Sequence, residues 1–462
     1  MLNTMTSSVL KGLMAILIIA LFFGMAQSCE EQESTPIQQA FDFNMGNPAE
    51  PGSRYPSIVT DAAGHLGMSW TMAVGEDLHA VQVAMMSPDG WTSPSTAIVS
   101  PDLFVNWADY PTMAIWEGEP VAVHWLKKRP SDNPYAYDIQ VAFFEGGDPA
   151  RWSDPITPHK DNTDTEHGFV SMKALSQDEV LLVWLDGREM AEREEHVGKD
   201  GLYAYHDEHG TGSMTLRSAI LHRDGTIKYE QEIDHMVCEC CPTDMVKTKE
   251  GFMVIYRNRT SEEIRDTWVS FYSLSTHRWS TPEPVSEDGW IIGGCPVNGP
   301  AAATSDEQIG VAWYTEANSA RKLFFTLKTE DGFEDPIVLG EGRDLVGRVS
   351  LTANDNGTFY ATWLEYLPLT EDESRKLGMV KLAVIDTPVK SDDVQNGAIK
   401  GRSAEGGNPQ MEITKRLDLG IVENRRSGFP EVRYTNGELF VAWTQTDPRP
   451  LLKTLQIPIS DL

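Results

Sequence analysis

Hydrophobic and polar residues alternate with a period of two along most of the chain, and this pattern predicts β-strands. The strands come in a repeated pair. Each pair follows a short turn, alternates through a first strand, turns at Gly, Asn, Asp or Glu, and ends its second strand in Trp or Tyr. Seven copies of this pair cover residues 55–70, 110–125, 168–184, 241–256, 295–313, 346–363 and 428–443.

Further strands such as HAVQVAMM and DIQVAFF lie between the copies, whose closing aromatic residues are 50 to 80 residues apart. Four strands in a repeat of about fifty residues match the size of one β-propeller blade. The sequence therefore predicts an all-β fold, a single propeller of seven blades, with six blades and one irregular copy as the alternative. Segment 37–45 has no blade of its own, so we expect it to close the ring as the outer strand of the last blade.

The first 29 residues form a separate unit. Lys11 precedes an apolar run, LMAILIIALFFGM, that is too short for a comfortable membrane span and typical of an export signal. We expect residues 1–29 to be a lipoprotein signal peptide ending at a lipidated Cys29, with a tether over 30–36 and the propeller over 37–462. Ordinary secretory cleavage is the alternative. The expected location is the bacterial outer membrane, facing the periplasm or the cell surface.

Charge and composition narrow the range of partners. The 462 residues carry a net charge of -31, and nucleic acid is excluded because neutralising phosphate requires clustered Lys and Arg. The 40% hydrophobic content and 13 Trp exclude a disordered chain. We expect a monomer that meets the membrane only through its lipid anchor.

The propeller geometry predicts a site at one mouth of the central channel. In every blade, the residue before the first strand and the residue after the second strand lie at the same end. Side chains that the repeat places at this mouth are Arg54, Asp109, His167, Asp186, Arg188, Arg257, Tyr314, Glu316 and Arg348. Because several arginines attract a carboxylate or phosphate through bidentate contacts, the set predicts an anionic ligand.

Four cysteines remain after the expected lipidation site: Cys238, Cys240, Cys241 and Cys295. They fall where the innermost strands of blades four and five begin, so we expect a disulfide from Cys240 or Cys241 to Cys295 in an oxidising compartment. The alternative is a soft-metal site in which the thiolates, near His167 or His235, bind copper or zinc. The C-x-C-C spacing favours the disulfide, since adjacent cysteines cannot easily both face one ion. We therefore expect no cofactor.

Several motifs carry a resemblance to a known family. The turns SPDGWTSP, ARWSDP, HRWSTP and TEDGFEDP look like degenerate Asp-box turns of bacterial-neuraminidase (BNR) repeats. The combination of WLDGR, CECCPTD, YRNR, EIRDTW and DGWIIGGCPVNGP is more specific. With these motifs the chain resembles exported bacterial proteins of the exo-α-sialidase-like class, over essentially the whole mature chain.

A sialidase requires three arginines on the sugar carboxylate, an acidic acid/base and a Tyr nucleophile activated by a Glu. The resemblance implies that Asp109 or Asp186 is the acid/base and that Tyr314 with Glu316 is the nucleophile pair. The ligand contacts that it implies are Arg54, His167, Arg188, Arg257, Arg265, Asn298 and Arg348. The expected function is binding, with or without hydrolysis, of an anionic glycan; a non-enzymatic scaffold that docks an envelope protein and a copper or zinc protein are the alternatives.

Overall fold

The computed structural model describes residues 35–36, 46–191, 212–305, 308–368, 377–387, 410–423 and 425–462. The expected signal peptide, its Cys29 and the expected closing segment 37–45 lie outside the described residues. Thr35–Pro36 forms a two-residue strand, β1. Among the described residues, no helix is long and apolar enough to cross a membrane.

Seven antiparallel sheets form the blades of a β-propeller, so the prediction of seven blades is confirmed. The first three blades are β2–β6 (Ser53–Thr60, Leu66–Ala73, His79–Ser87, Gly90–Trp91, Ser95–Ser100), β7–β10 (Met113–Trp116, Glu119–Lys128, Tyr137–Gly146, Arg151–Trp152) and β11–β14 (His167–Ala174, Glu179–Asp186, Thr215–His222, Ile227–Asp234). Blades four and five are β15–β19 (Asp244–Lys247, Gly251–Arg257, Thr267–Ser273, Arg278–Trp279, Glu283–Pro284) and β20–β23 (Ala301–Thr304, Ile309–Thr315, Lys322–Leu327, Ile337–Glu341).

The last two blades complete the ring. They are β24–β27 (Leu345–Ala353, Thr358–Tyr366, Gly378–Asp386, Glu412–Val422) and β28–β30 (Glu431–Thr435, Glu438–Gln445, Leu451–Pro458). The short 3-10 helices of the described chain are Arg188–Met190, Ala317–Ser319, Arg425–Ser427 and Ile459–Asp461.

The closing aromatic residues of the sequence repeat form the core between blades. All seven are at most 3% exposed: Trp70, Trp125, Trp184, Tyr256, Trp313, Trp363 and Trp443. Each packs with side chains of the preceding blade, and Trp70 of the first blade packs with Phe440 of the seventh, which closes the ring. The core is therefore a set of interfaces between blades, and truncating one such Trp typically costs about 3–5 kcal/mol.

In four blades the backbone is irregular within or shortly before the innermost strand. The backbone φ there is positive, between 49° and 62°, at Tyr55, Phe169, Val297 and Arg348. In three of these blades the N–H of that residue donates to a side chain of the neighbouring blade: Phe169 to Asp109 Oδ2 (2.8 Å), Arg348 to Asn298 Oδ1 (2.7 Å) and Tyr55 to Thr444 Oγ1 (2.8 Å). This conformation is costly for side chains larger than glycine. The rim of the channel is thus fixed by bonds between blades.

Candidate functional site

The central channel encloses a cavity of about 100 Å³ and receives side chains from all seven blades. Each blade lines the channel with its innermost segment. One such residue per blade, in blade order, is given by Ser57, Thr112, Ser171, Asp244, Ala301, Ser350 and Glu431. Three acidic and two basic side chains line the channel: Asp109, Asp244, Glu431, Lys173 and Arg433. Glu431 accepts a hydrogen bond from the Tyr110 hydroxyl at 2.9 Å and pairs with Arg433 at 3.2 Å. The channel wall is therefore mixed in sign and carries no ring of arginines among the residues described.

The strand register places the predicted arginines at one end of their blades, but their guanidinium groups bind the protein itself. Arg257 is 2% exposed and donates to the carbonyl oxygens of Asn298 at 2.9 Å and Tyr314 at 2.8 Å. Arg348 donates to the carbonyl oxygen of Gly428 at 2.8 Å and lies 4.2 Å from the centroid of the Trp107 ring. Both side chains therefore stabilise the contacts between blades.

The remaining predicted arginines point to separate partners. Arg188 forms an ion pair with Asp186 at 2.7 Å, and Arg265 pairs with Glu263 at 2.8 Å. Arg54 lies over its neighbour Tyr55, at 6.0 Å from the ring centroid. Each of these three guanidinium groups is thus engaged with a side chain one or two residues away in sequence. Their carboxylate-binding role stays a prediction.

The two expected acid/base residues are buried and differ in protonation. Burial raises the pKa of Asp109 to about 7, although its Oδ2 accepts the Phe169 N–H. Burial also acts on Asp186, but bonds from Arg188 and the charge of His167 prevail and lower its pKa. Asp186 additionally accepts the indole N–H of Trp184 at 2.7 Å. Of these two residues, only Asp109 therefore has a proton available near neutral pH.

Sequence reasoning missed the partners of Asp109. The hydroxyl of Tyr137, on β9, contacts Glu166 Oε1 and lies 3.5 Å from Asp109 Oδ2. Burial raises the pKa of Glu166 to about 8, and the charges of Asp109, Glu239 and Cys295 act in the same direction. The three side chains are far apart in sequence, and no local pattern marks Tyr137 as different from the other core aromatics.

The expected nucleophile pair is in contact. The Tyr314 hydroxyl donates to Glu316 Oε2 at 3.3 Å, and Glu316 also accepts from Arg321 at 3.0 Å. Burial and the charge of Glu316 raise the pKa of Tyr314, so the phenolate form is disfavoured. The proximity agrees with the expectation, whereas the catalytic role stays a prediction.

The four cysteines of blades four and five come together as free thiols. The Sγ atoms of Cys238 and Cys241 are 3.3 Å apart, and those of Cys238, Cys240 and Cys241 all lie within 4.8 Å of one another. Cys295 lies outside this three-sulfur group, and an interaction with the Cys240 thiol lowers the pKa of Cys295. The expected bridge from Cys240 or Cys241 to Cys295 is not present in this structure. The adjacent Cys240 and Cys241 nevertheless hold their sulfur atoms within 4.8 Å of each other.

Close packing between blades four and five brings Cys295 to this turn. A Cβ on Gly299 would lie 2.2 Å from the carbonyl oxygen of Pro242, so the segment after Cys295 passes directly against the segment after Cys241. Only glycine permits this approach. The C-x-C-C-P and G-C-P-x-x-G-P motifs therefore pack against each other. We call the cysteines that these motifs carry, Cys238, Cys240, Cys241 and Cys295, the four-cysteine cluster.

The four-cysteine cluster stabilises a thiolate. The Arg265 Nη1 donates to Cys238 Sγ at 3.3 Å. Burial opposes ionisation, but bonds from the neighbouring thiols and the charge of Arg265 hold the pKa of Cys238 well below its ordinary value. Around them, Arg259 pairs with both Glu239 and Glu263, and Glu263 also pairs with Arg265. The two glutamates therefore neutralise the two arginines, and one of these arginines, Arg265, contacts a sulfur atom.

His167 belongs to a different group of side chains. It is fully buried, and its Nε2 lies 3.0 Å from Asp161 Oδ2 and 3.6 Å from Asp186 Oδ1. His235 has a side chain that is 82% exposed, near Asp234. Over the described ranges, no group of potential metal ligands within bonding reach combines a thiol with an imidazole. The expected combination of the thiolates with His167 or His235 is therefore not seen.

No protein family model matches the chain, and no curated protein matches it. Among solved structures it is similar to a protein of unknown function from Dyadobacter fermentans, with 9% identity, 89% of this chain and 96% of that chain covered, and a TM-score of 0.43. It is similar to the NanB sialidase from Streptococcus pneumoniae (10% identity, 93% and 72% covered, TM-score 0.41). A GH43_1 enzyme from Xanthomonas citri complexed with xylotriose is also similar (12% identity, 69% and 83% covered, TM-score 0.32). These likenesses concern the fold.

Proposed function

We propose that this protein binds a soft transition-metal ion, Cu(I) or Zn(II), through the thiolates of the four-cysteine cluster. The observation that carries the proposal is the convergence of three sulfur atoms, those of Cys238, Cys240 and Cys241, within 4.8 Å of one another. Thiolates are the ligands that these ions prefer. In a tetrahedral zinc site, Zn–S bonds of about 2.3 Å place sulfur atoms roughly 3.8 Å apart, which agrees with the size of the cluster.

The surroundings of the cluster favour ionised sulfur. Metal ligation requires deprotonated sulfur, and Arg265 already stabilises the thiolate of Cys238. Cys238 and Cys241 are 1% exposed, whereas Cys295 is exposed. An ion therefore enters from solvent past Cys295 and is covered by protein on the opposite side. Both an inner thiolate and an access route are features that a functional metal site needs.

Binding of an anionic glycan, which the resemblance implies, is the second candidate. The contact between Tyr314 and Glu316 supports it, since this residue pair is the one that sialidases use as nucleophile. It ranks second because Arg257 and Arg348 donate to backbone carbonyl oxygens instead of converging on one point. Turnover of a fluorogenic sialoside, abolished by Tyr314→Phe, would favour it. Outer-membrane anchoring through Cys29 and docking of an envelope protein stay predictions.

Metal content tests the first candidate. The full chain is purified without oxygen, incubated with Cu(I) or Zn(II), freed of excess metal, and analysed by elemental mass spectrometry together with a thiol count. We expect about one equivalent of ion per chain and protection of the cysteines from alkylation. Cys241→Ser should lose the ion. His235→Ala, which alters an exposed side chain three residues from Cys238, is the matched control and should retain it.

Two results would contradict the proposal. One is a reduced wild-type chain, with all four thiols titratable, that retains neither ion against a chelator of micromolar affinity. The other is freshly isolated protein in which the four cysteines form two disulfides and take up no metal after reduction.

A further inference from the structure

Two residues at the outer edge of blades three and four have a backbone conformation that favours glycine. Tyr229 lies on β14, the outermost strand of blade three, with a φ of 52°. His277 lies in the turn between β17 and β18 of blade four, with a φ of 55°. At β14 the irregularity is a bulge, in which Tyr229 and Glu230 together oppose the single residue Ala219. Such a conformation is costly for residues other than glycine, and it is found where the surroundings or a function require it.

The Tyr229 ring stacks on the imidazole of His277. The two ring centroids are 4.1 Å apart and the ring planes are 13° from parallel. Gln231 ties the two backbones together, because its Nε2 donates to the carbonyl oxygens of Tyr229 at 3.2 Å and of His277 at 2.9 Å. His277 is fixed in turn by the core, since its Nδ1 lies 3.0 Å from the hydroxyl of Tyr272, a residue that is 2% exposed. The Tyr229 ring therefore rests on a rigid support.

The other side of the Tyr229 ring is open to solvent. Tyr229 is 49% exposed, and since one ring face is covered by His277, the exposed area lies on the opposite face and the edge of the ring. The face of an aromatic ring carries partial negative charge and attracts weakly positive C–H groups. A pyranose sugar presents C–H groups on its faces and hydroxyl groups around its rim. Its shape and polarity therefore match a flat, open aromatic face that is held in place.

The charges next to the ring favour a neutral ligand. Lys228, the residue before Tyr229, pairs with Glu179 at 2.8 Å, and their side chains are 45% and 28% exposed. This pair offers both donors and acceptors to sugar hydroxyl groups, while its charges cancel. Nucleic-acid bases also stack on aromatic rings, but their phosphates require clustered cations, and the chain has a net charge of -31. A glycan without acidic groups therefore fits this surface best.

We propose that Tyr229, supported by His277, is a stacking platform for a pyranose ring of a neutral glycan. The platform lies on the outermost strand of its blade, whereas the channel is lined by innermost strands, and it uses no residue of the four-cysteine cluster. It thus differs in place from both candidate functions above, and it does not depend on either. Because the ring is already fixed before binding, little side-chain entropy is lost when a sugar stacks on it.

Affinity electrophoresis tests the platform. The full chain is run in native gels that contain hydroxyethyl cellulose, xylan or laminarin, and retardation relative to a glycan-free gel gives the dissociation constant. We expect retardation of the wild type in at least one gel. Tyr229→Ala should weaken this binding roughly 2–10-fold, the range that the loss of one stacked ring implies, whereas Tyr229→Phe keeps the ring and should bind as the wild type does. Tyr135→Ala is the matched control, because Tyr135 is 57% exposed but lies between β8 and β9 of blade two.

Glycine at the same position separates binding from packing. Glycine adopts a φ of 52° without strain, so Tyr229→Gly should unfold at a temperature close to that of the wild type and yet bind as weakly as Tyr229→Ala. A ring that only joins the two blades predicts the opposite, a lower unfolding temperature with unchanged retardation. His277→Gly, which removes the support, should also weaken binding because the Tyr229 ring is then free to turn. Absence of retardation in all three gels, or equal retardation of the wild type and Tyr229→Ala, would overturn the proposal.

Discussion

His124 should make the propeller sensitive to acid. This side chain lies on β8 with no exposed surface. Its Nδ1 accepts the backbone N–H of Thr112 at 3.0 Å, and its Nε2 has no hydrogen-bond partner among the described residues. Burial lowers the pKa of His124 from 6.5 to about 4, because the imidazolium loses its hydration and gains no anionic partner.

The size of the effect follows from linkage. Between pH 6.5 and pH 4 the unfolded chain binds the proton and the folded chain does not, so stability falls as the pH falls through this window. With these two pKa values, the free energy of unfolding drops by about 2 kcal/mol from pH 7 to pH 5, and by about 3 kcal/mol at pH 4. This loss is a sizeable fraction of the total stability of a domain.

The assay compares pH slopes rather than absolute stabilities. Urea unfolding is measured at pH 7 and pH 5 for the wild type and for His124→Asn, whose amide oxygen replaces Nδ1 as the acceptor for Thr112. Contributions of the other titrating groups are common to both chains and cancel. We expect the pH-dependent loss to be smaller by about 2 kcal/mol in the variant. The same change at exposed His235 should leave the slope unaltered; equal slopes for wild type and His124→Asn would refute the reasoning.

Two further predictions concern the site. In reduced, metal-free protein, Arg265→Gln should raise the pKa of the most acidic thiol, because it removes the cation that contacts sulfur; thiolate absorbance against pH measures this. Arg259→Gln, which touches only carboxylates in that network, should change it less. Gly168→Ala should cost about 1–3 kcal/mol in urea unfolding, because its Cβ would lie 2.1 Å from Asp109 Oδ2. Gly293→Ala, with open space around its Cβ, should cost far less.

The blade count and the position of the cysteines were predictable from local pattern. Alternation defines a strand through residues two apart, and a large aromatic at the end of each second strand marks a position that must be buried. The repeat places Cys241 and Cys295 at the start of neighbouring innermost strands, and the structure brings their segments together. The sequence did not reveal that the sulfurs form one cluster of free thiols, since that depends on the turn at 238–241.

The sequence did not predict that His159, Asp161 and Asp138 gather around His167, although His167 itself was expected at the channel mouth. Asp138 lies on a third strand, whereas His159 and Asp161 belong to the irregular segment before β11. The local signal was weak. It consisted of the H-x-D spacing of His159 and Asp161 and the later Glu166-His167 pair, in a polar stretch without strand alternation. Such spacing is common in loops, so it does not reveal which strand the loop covers.

By itself the sequence determined the repeated hairpins, the seven blades and the end of each blade at which polar residues gather. These features depend on residues close together in the chain. The tertiary structure alone decided where the side chains point. Positive φ at Tyr55, Phe169 and Arg348 accompanies hydrogen bonds between blades, and Arg257 and Arg348 donate to carbonyl oxygens of the neighbouring blade. For Arg257 and Arg348, the side-chain partners are 41 and 80 residues away, at Asn298 and Gly428, so local pattern does not encode their direction.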